Sequence, residues 1–351
     1  MSRLMVMAGG TGGHIYPALA VAEAWQAAGG EVVWLGNPAG MEGKIVPEAG
    51  ITLEPVSIAG LRGKGINSLL AAPLRLVRAL VQSISAIRRQ QPDVVLGMGG
   101  FASGPGGLAA WLLRKPLVIH EQNAIPGLTN KLLSRLASEV LEAFPNTFPE
   151  ATTVGNPVRS DLYEIEPVAP HQPLRLLVLG GSLGAQRLNQ LVPQLLQQLS
   201  GVVVWHQSGA KNLQETEEYY REAGVDLDAA EVRLAPYIKE MGAAYQWADL
   251  VLCRAGAMTV SELALAGRGS ILVPFPYAVD DHQRANGAFL EAQGAAWLVP
   301  QAELSLEKVL QWIETRRQHP EQLIEMGRAA KAVAKPDATR TVVTTCQRCC
   351  R

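Results

Sequence analysis

Short apolar runs alternate along the chain with stretches in which apolar residues recur at helical spacing. The apolar runs predict strands at residues 4–8, 32–35, 94–98, 117–120, 174–179, 202–207, 232–236, 250–254, 270–274 and 296–299. Several are continuous Val, Leu and Ile without polar alternation, which is typical of parallel strands buried on both faces. The helical spacing predicts helices at residues 17–28, 67–90, 124–135, 188–199, 214–223, 259–266, 282–293 and 306–315. This alternation of strand and helix predicts an open α/β sheet.

The two halves of the chain begin alike. Residues 5–13 and 176–184 each form an apolar strand followed by Gly-Gly-Thr/Ser-x-Gly and a predicted helix. A Pro-rich segment with few apolar runs, 155–173, lies between them, and we place a hinge there. We therefore expect two Rossmann-like domains facing across a cleft, residues 1–159 and 160–336, with the tail 337–351 a candidate to pack back on the first. Ligands in such sheets bind at the carboxyl ends of the strands.

Composition narrows the class of protein. Of the 351 residues, 48% are hydrophobic and 18% are charged, which argues against a disordered chain. The net charge of −1 excludes a broadly basic nucleic-acid binder. No run reaches the roughly 18 apolar residues of a transmembrane helix. The N-terminus lacks the regions of a secretory signal, so we expect the chain to stay in the cytosol.

We expect none of the four cysteines to bind a metal ion. Cys253 lies in an apolar strand and is predicted to be a buried small hydrophobic residue. Cys346, Cys349 and Cys350 crowd the C-terminus without a fourth ligand at zinc spacing. We interpret them as reduced thiols of a frayed tail.

Three glycine-rich segments follow predicted strands, at residues 9–14, 97–107 and 180–184. Glycines let a backbone turn tightly and approach a ligand closely, and a following helix N-terminus attracts phosphate. The first segment is neither a P-loop nor the dinucleotide fingerprint, because Ile15 stands where that fingerprint has its third glycine. A tight turn without a ligand is the alternative for the first segment and a flexible linker for the second, so any one segment alone is weak evidence. Together they predict a cleft for ligands that carry phosphate.

Polar residues follow the same strands in the N-terminal half. His14 closes the first glycine segment, where a general-base or phosphate-contact role competes with a helix-cap or packing role. His120, Glu121, Gln122 and Asn123 follow a predicted strand and are expected to line the cleft, with a plain polar loop as the alternative.

In the C-terminal half, Glu262 has two interpretations of equal weight. Its carboxylate can accept both hydroxyls of a ribose, or it can complete a Thr-x-x-Glu capping box with Thr259. Asp280 and Asp281 form a weak candidate metal site, and a helix start is the better interpretation of the pair. The Asp-Leu-Asp run at 226–228 follows no strand, so its likeness to a metal-binding Asp-x-Asp motif is treated as a surface coincidence.

No acidic residue lies between Glu54 and Asp93, a stretch that holds six basic residues among many leucines and valines. A helix with apolar and basic faces can dock on an anionic bilayer, and we weigh this evenly against a core helix with a solvated basic face. RNA binding ranks lower because the stretch has no aromatic residue for base stacking. The predicted membrane patch consists of Leu69, Leu70, Leu74, Arg75, Arg78 and Trp111.

The order of these motifs resembles the MurG family of bacterial GlcNAc transferases. The motifs are Gly-Gly-Thr-Gly-Gly-His14, Gly-Leu-Arg-Gly-Lys64, Gly-Met-Gly-Gly-Phe-x-Ser-Gly-Pro105, His-Glu-Gln-Asn123, Gly-Asn-Pro-Val-Arg159, Gly-Gly-Ser-x-Gly184 and Cys-Arg-x-Gly-Ala-x-Thr-Val-Ser-Glu262. The resemblance covers essentially the whole chain. It implies a GT-B glycosyltransferase fold, with an acceptor- and membrane-facing N-terminal domain and a C-terminal domain that binds UDP-GlcNAc. It also implies inverting transfer of GlcNAc to the C4 hydroxyl of MurNAc in undecaprenyl-pyrophosphoryl-MurNAc-pentapeptide, a step of peptidoglycan synthesis.

Carried over position by position, the resemblance implies His14 as the candidate base and Thr11, Gly12 and Gly13 as donor contacts. The other implied donor contacts are Asn123, Arg159, Ser182, Ile238, Ala257, Met258, Thr259, Val260, Ser261, Glu262 and Gln283. No metal and no cofactor is expected. The implied location is peripheral, on the cytoplasmic face of the inner membrane, with cell-wall synthesis proteins as candidate partners. The segment 276–283 and the Cys-rich tail depart from the family pattern, and the first leaves the register at Gln283 open.

Three rival functions remain at this point. A UDP-GlcNAc 2-epimerase shares the two-domain plan but acts on a soluble substrate and has no use for a membrane patch. A non-catalytic sensor would bind UDP-GlcNAc without releasing UDP. Transfer to a different lipid acceptor would keep the chemistry and change only the substrate.

Overall fold

The computed structural model describes residues 2–58, 72–181 and 184–350. The chain divides into two compact units. The first consists of Met1–Arg159 with Lys335–Arg351, and the second of Ser160–Ala334. Each unit contains a sheet in which all strand pairs of the described residues are parallel, so the predicted α/β class is confirmed.

The first unit is built on a seven-stranded sheet within the described residues, in the order β3-β2-β1-β4-β5-β6-β7. Its strands are β1 (Arg3–Met7), β2 (Glu31–Gly36), β3 (Thr52–Pro55), β4 (Val94–Gly97), β5 (Leu117–Glu121), β6 (Glu139–Glu142) and β7 (Thr152–Thr153). Its α-helices before Arg159 are α1 (Gly12–Ala27), α2 (Glu42–Glu48), α3 (Ala72–Gln90), α4 (Ser103–Leu112) and α5 (Leu128–Leu133).

Helices cover both faces of this sheet. Leu4 and Val6 of β1 belong to a core shared with Ile15 of α1, whereas Met5 belongs to a core shared with Ala79 of α3. Successive residues of a strand point to opposite faces, so a strand covered on both sides is apolar throughout. This explains why β1 shows no polar alternation.

The second unit is built on a six-stranded sheet in its described part, in the order β10-β9-β8-β11-β12-β13. Its strands are β8 (Leu174–Leu179), β9 (Val202–Gln207), β10 (Val232–Ala235), β11 (Leu250–Cys253), β12 (Gly269–Leu272) and β13 (Ala296–Leu298). Its α-helices are α6 (Gln186–Gln198), α7 (Leu213–Glu222), α8 (Met241–Trp247), α9 (Ala257–Ala266), α10 (His282–Glu291), α11 (Leu306–Gln318) and α12 (Glu321–Ala332).

The second glycine segment is only partly a loop, contrary to the sequence expectation. Its latter half begins α4 at Ser103. A Cβ atom on Gly106 would collide with the sulfur of Met7, and one on Gly107 would stand 2.7 Å from the side chain of Leu133. These glycines let α4 approach the sheet and α5 closely, so they are a packing feature.

The expectation of a frayed C-terminus is also wrong. Residues Ala338–Cys349 form a further helix, α13, that packs against α1. Cys346 is fully buried in the core that contains Leu4 and Ile15, and this burial raises the pKa of its thiol. Cys253 is fully buried as well, as predicted.

Several short elements were not predicted, among them β3, β6, β7, α2, α8 and α12. Helix α1 begins at Gly12, five residues before the predicted start at Pro17, which lies inside the helix. Helix α5 occupies only the middle of the predicted helix 124–135. In the described part of the chain, no helix is both long and apolar enough to cross a bilayer.

Candidate active site

The first glycine segment joins the end of β1 to the N-terminus of α1. Thr11 is the extended N-cap residue, and Gly12 and Gly13 open the helix. In α1, which is described in full, the Thr11 side chain makes no cap and the first turn holds no acidic residue. Such a terminus carries partial positive charge and unsatisfied N–H groups, so it can bind a diphosphate.

The buried carboxylate of Glu42 accepts hydrogen bonds from the backbone of this segment and from the residue that follows β2. Glu42 Oε2 accepts a hydrogen bond from the N–H of Gly10 at 3.1 Å, and Oε1 accepts one from the N–H of Asn37 at 3.1 Å. Glu42 is only 3% exposed. The sequence analysis did not single it out, because no pattern along the chain connects a helical glutamate with a glycine 32 positions earlier.

The loop half of the second glycine segment packs against the first. A Cβ atom on Gly100 would collide with the backbone of Gly9, and one on Gly99 would stand 2.8 Å from Nδ1 of His14. Both residues have φ near +85°, which favours glycine. These glycines are therefore explained by contact between the two segments without any ligand.

His14, in the first turn of α1, heads a chain of side-chain hydrogen bonds. Its Nδ1 lies 2.8 Å from Oε1 of Gln122. The amide nitrogen of Gln122, Nε2, lies 3.1 Å from Nδ1 of His120 and 3.2 Å from the backbone carbonyl oxygen of His120. The other ring nitrogen of His120, Nε2, lies 2.8 Å from the carbonyl oxygen of Gly155. His14 is itself half-buried, so one ring nitrogen is held while the ring stays partly open to solvent.

The expectation that residues 120–123 line a cleft is wrong for three of the four. His120, Glu121 and Gln122 are at most 2% exposed, and Asn123 is half-buried. Burial lowers the pKa of His120 to about 4, so its ring is neutral at pH 7. Oε1 of Glu121 accepts hydrogen bonds from the backbone N–H and the side-chain amide of Asn123, at 3.0 and 3.2 Å, and so orients it.

In the second unit, Gln207 connects the third glycine segment to Ile238. Its Nε2 donates to the carbonyl oxygen of Gly181 at 3.1 Å, and its Oε1 accepts from the N–H of Ile238 at 3.1 Å. The N–H of Ile238 is thereby engaged within the unit. Ser182 lies outside the described residues. Gln207 was missed, although a buried polar residue at the end of an apolar strand is a usable signal.

The N-terminus of helix α9 resembles that of α1 in lacking a side-chain cap. It begins at Ala257 after the extended N-cap Gly256, and this fully described helix has no side-chain cap and no acidic residue in its first turn. Arg254, just before it, is engaged within the unit, donating to the carbonyl oxygen of Val273 at 3.1 Å and to Oε1 of Gln301 at 2.7 Å. The helix terminus is thus the feature here that suits a phosphate.

The predicted contact run 257–262 is not uniformly accessible. The side chains of Ala257 and Val260 are buried, whereas Met258, Thr259, Ser261 and Glu262 are half-buried. Ala257 and Val260 can therefore meet a ligand mainly through their backbone.

The capping-box interpretation of Glu262 is wrong. The N-cap of α9 is Gly256, so Thr259 lies inside the first turn and Glu262 in the second. Oε2 of Glu262 instead accepts a hydrogen bond from the hydroxyl of Tyr245 at 3.1 Å. The ribose role of Glu262 stays a prediction.

The remaining predicted contacts lie near the ends of elements. Oε1 of Gln283, in α10, accepts from the N–H of Phe275 at 2.8 Å, and Arg159 is an exposed residue at the end of the Met1–Arg159 segment. Asp281 is the N-cap of α10, in agreement with the helix-start interpretation. In the part of the chain that the structure describes, no three His, Cys, Asp or Glu side chains are grouped to hold a metal ion.

Helices α3 and α4 of the first unit pack against each other. Both expose apolar side chains. Leu74, Val77 and Trp111 are 75%, 58% and 49% exposed, and Arg75 and Arg78 are exposed beside them on α3. The buried residues of α3 are Ala79, Ser83, Ala86 and Ile87, so its first seven residues contribute none. The core-helix interpretation therefore fits part of α3, and docking of its exposed part on a membrane stays a prediction. The predicted patch residues Leu69 and Leu70 lie outside the described residues.

Two solved structures that share this fold are named as glycosyltransferases. The glycosyltransferase of kitacinnamycin superposes with a TM-score of 0.72 at 15% identity, covering 99% of both chains. VinC in complex with dTDP superposes with a TM-score of 0.69 at 16% identity, again covering 99% of both. Two Rossmann-like units with these neighbours define the GT-B glycosyltransferase fold, as the motifs implied.

Relatives of higher identity narrow the class. The crystal structure of Acinetobacter baumannii MurG shares 40% identity with a TM-score of 0.84, covering 99% of this chain and 100% of that chain. Proteins from Pseudomonas syringae and Nitrosococcus oceani share 50% and 52% identity over 98% of this chain and 98% of their own. Both are named UDP-N-acetylglucosamine–N-acetylmuramyl-(pentapeptide) pyrophosphoryl-undecaprenol N-acetylglucosamine transferase.

Both units also match one family of enzymes. Residues 4–142 match the N-terminal domain of glycosyltransferase family 28, and residues 175–342 match its C-terminal domain. The chain therefore belongs to glycosyltransferase family 28 and, within it, to the MurG family, which confirms the resemblance inferred from the motifs.

Proposed function

We propose that this protein transfers GlcNAc from UDP-GlcNAc to the C4 hydroxyl of MurNAc in undecaprenyl-pyrophosphoryl-MurNAc-pentapeptide, with inversion at C1 of the transferred sugar. The observation that carries the proposal is 50–52% identity, over 98% of the chain, to transferases named for this donor and this acceptor. The reaction converts lipid I into lipid II for peptidoglycan synthesis.

The second unit binds the donor in this proposal. The open N-terminus of α9 and the glycine segment 180–184 hold the diphosphate through backbone N–H groups. Glu262, oriented by Tyr245, accepts the ribose hydroxyls. The backbone of Ile238 contacts the uracil ring. The side chains that complete the donor site are Ser182, Met258, Thr259, Ser261 and Gln283.

The first unit supplies the base. His14 takes the proton of the C4 hydroxyl, and the oxygen attacks C1 of GlcNAc from the face opposite UDP. The bond between C1 and the diphosphate oxygen breaks, and its electron pair leaves with UDP. An imidazole suits this role because it can hold and release a proton near neutral pH.

A helix terminus stabilises the leaving group. Negative charge grows on the diphosphate as the C1–O bond breaks, and preorganised N–H groups aimed at that charge lower the barrier. The open terminus of α9 supplies such groups. Thr11, Gly12 and Gly13 are proposed as further donor contacts. Asn123 and Arg159 add polar contacts to the donor.

The exposed apolar face of α3 and α4 docks on the anionic inner leaflet, where a lipid-linked acceptor resides. Leu74 and Trp111 enter the interface, and Arg75 and Arg78 pair with lipid phosphates. This makes the enzyme a peripheral protein on the cytoplasmic face of the inner membrane.

One assay tests the function directly: UDP release from UDP-GlcNAc, with and without the lipid-linked muramyl acceptor. We expect release that depends on the acceptor and a product that carries the disaccharide. Formation of the C2 epimer without any acceptor would indicate an isomerase. Saturable binding of UDP-GlcNAc with no UDP released in either arm would indicate a sensor.

A further inference from the structure

Two backbone carbonyl groups fix the direction of every hydrogen bond in the chain that ends at His14. A carbonyl oxygen can only accept. Nε2 of His120, 2.8 Å from the carbonyl oxygen of Gly155, must therefore carry a proton. The Gln122 side-chain atom 3.2 Å from the carbonyl oxygen of His120 must be the amide nitrogen, which settles the orientation of that amide.

These directions determine the state of both imidazole rings. Neutral His120 has its proton on Nε2, so its Nδ1 accepts the second N–H of Gln122 at 3.1 Å. Burial lowers the pKa of His120 to about 4, which keeps this ring neutral. The oxygen of Gln122 then faces Nδ1 of His14, 2.8 Å away, so Nδ1 of His14 is the donor. In a neutral His14 the lone pair is left on Nε2.

We infer that Gln122 is a positioning residue that holds His14 in the tautomer with its proton on Nδ1, so that Nε2 accepts the proton of the attacking hydroxyl. The inference rests on the proposed function, in which His14 is the base. A histidine base is commonly held in one tautomer by a carboxylate at its other nitrogen. An amide achieves the same selection without placing a negative charge near a site that must hold a diphosphate.

The chain of hydrogen bonds is anchored at its far end as well. The side-chain amide of Asn156 donates to the backbone carbonyl oxygen of Gln122 at 3.1 Å, and Asn156 is 2% exposed. The segment that contains Gly155 and Asn156 thus contacts both His120 and Gln122. Substitutions at Gln122 should therefore act on His14 while this backbone stays in place.

Kinetics of two Gln122 variants form the first test. Gln122→Met keeps the length of the side chain and removes both polar ends, so we expect kcat to fall about 10- to 100-fold. The KM for UDP-GlcNAc should change less than about twofold, because the donor site is proposed to lie mainly in the second unit. Gln122→Glu keeps an acceptor for Nδ1 of His14 but adds a negative charge and loses the N–H donors to His120, so its kcat should lie between those of the wild type and Gln122→Met. Gln26→Met, an exposed glutamine of the same helix as His14, is the matched control.

Nitrogen NMR of the enzyme labelled with 15N-histidine forms the second test and does not depend on turnover. The His14 signal, assigned by its loss in His14→Gln, should show Nδ1 protonated in the wild type and a mixture of tautomers in Gln122→Met. A wild-type His14 protonated on Nε2 overturns the inference. An unchanged kcat in Gln122→Met also overturns the inference. A loss of kcat in both Gln122 variants together with an equal rise in the KM for UDP-GlcNAc overturns it as well. A wild type that releases no UDP with the acceptor contradicts the proposed function instead, and the NMR result still decides the tautomer.

Discussion

The hydroxyl group of Tyr245 donates a hydrogen bond to Oε2 of Glu262 over 3.1 Å. Tyr245 is fully buried in α8, and Glu262 is half-buried in α9. A rigid aromatic side chain therefore sets the orientation of a carboxylate that faces partly toward solvent. This arrangement suits a carboxylate that must accept two ribose hydroxyls in a fixed geometry.

Replacing Glu262 with Gln should weaken donor binding more than turnover. An amide has a single acceptor oxygen, so it cannot satisfy Tyr245 and a ribose diol together. Hydrogen bonds to charged groups contribute about 1.5–3 kcal/mol, so we expect the KM for UDP-GlcNAc to rise by roughly 10- to 100-fold. Tyr245→Phe keeps the carboxylate and should raise KM only a few-fold. Steady-state kinetics with Glu222→Gln as the surface control check this, and a fall in kcat at constant KM would contradict the ribose role.

Replacing His14 with Ala should depress turnover far more than donor binding. General-base catalysis contributes about 10²- to 10⁴-fold, and we expect kcat to fall by that order. The Kd for UDP-GlcNAc, measured by calorimetry, should stay within about twofold. Glu23→Ala, an exposed residue farther along α1, is the matched control and should leave both quantities unchanged. Comparable losses in kcat and in binding would remove His14 from the role of base.

The parts of this fold that the sequence predicted best are its buried strands. The bounds of β8 and β9 coincide with the predicted ones, because continuous Val and Leu runs need two covered faces. Helix α4 was missed because Gly106 and Gly107 read as loop residues, and only the neighbouring side chains of Met7 and Leu133 show why glycine is needed. Helix α13 was missed because the crowded cysteines were interpreted as a frayed tail, whereas Val342, Val343 and Cys346 are buried in the core of the first unit.

The site divides in the same way. The ends of β1 and β11 could be predicted as candidate ligand-binding positions because glycines and a following helix lie adjacent in sequence. The contact between His14 and Gln122 could not, since it joins side chains 108 positions apart. Gln207 was missed for the same reason, since its partners Gly181 and Ile238 lie 26 and 31 positions away. The pattern of neighbouring residues predicts where a strand ends. The hydrogen bonds of a side chain at that end depend on residues distant in sequence, so the pattern does not predict them.

Replacing apolar residues of the proposed membrane face should weaken binding to anionic vesicles. The combined variant Leu74→Ser, Val77→Ser and Trp111→Ser removes three exposed side chains, each able to contribute about 1.5–3 kcal/mol when buried. We expect at least a 10-fold loss of affinity in flotation with phosphatidylglycerol vesicles, and UDP-GlcNAc binding should not change. Val168→Ser, an exposed valine of the second unit, is the control. The variant Leu69→Ser, Leu70→Ser and Leu74→Ser tests the rest of the predicted patch, and unchanged flotation in both variants would count against it.

Two buried histidines should make the stability of the protein fall as the pH is lowered. Burial lowers the pKa of His120 to about 4 and that of His206 to about 3, whereas an unfolded histidine titrates near pH 6.5. Between those values the unfolded chain binds more protons, so the free energy of unfolding decreases by about 1.4 kcal/mol per pH unit for each histidine. Above pH 6.5 the rings are neutral in both states and burial adds no pH-dependent cost, and on acidification below pH 6.5 that cost grows until the folded-state pKa values are reached.

Urea unfolding between pH 7 and pH 5 checks this slope. In His206→Gln the pH dependence should become shallower, because the partners Tyr220 and Asn189 then face a side chain that does not titrate. His120→Gln should reduce the slope by a similar amount, and His319→Gln, whose side chain is 57% exposed, is the matched control. If the slopes of the wild type and both buried-histidine variants coincide, other groups carry the acid sensitivity and neither ring is held neutral by burial.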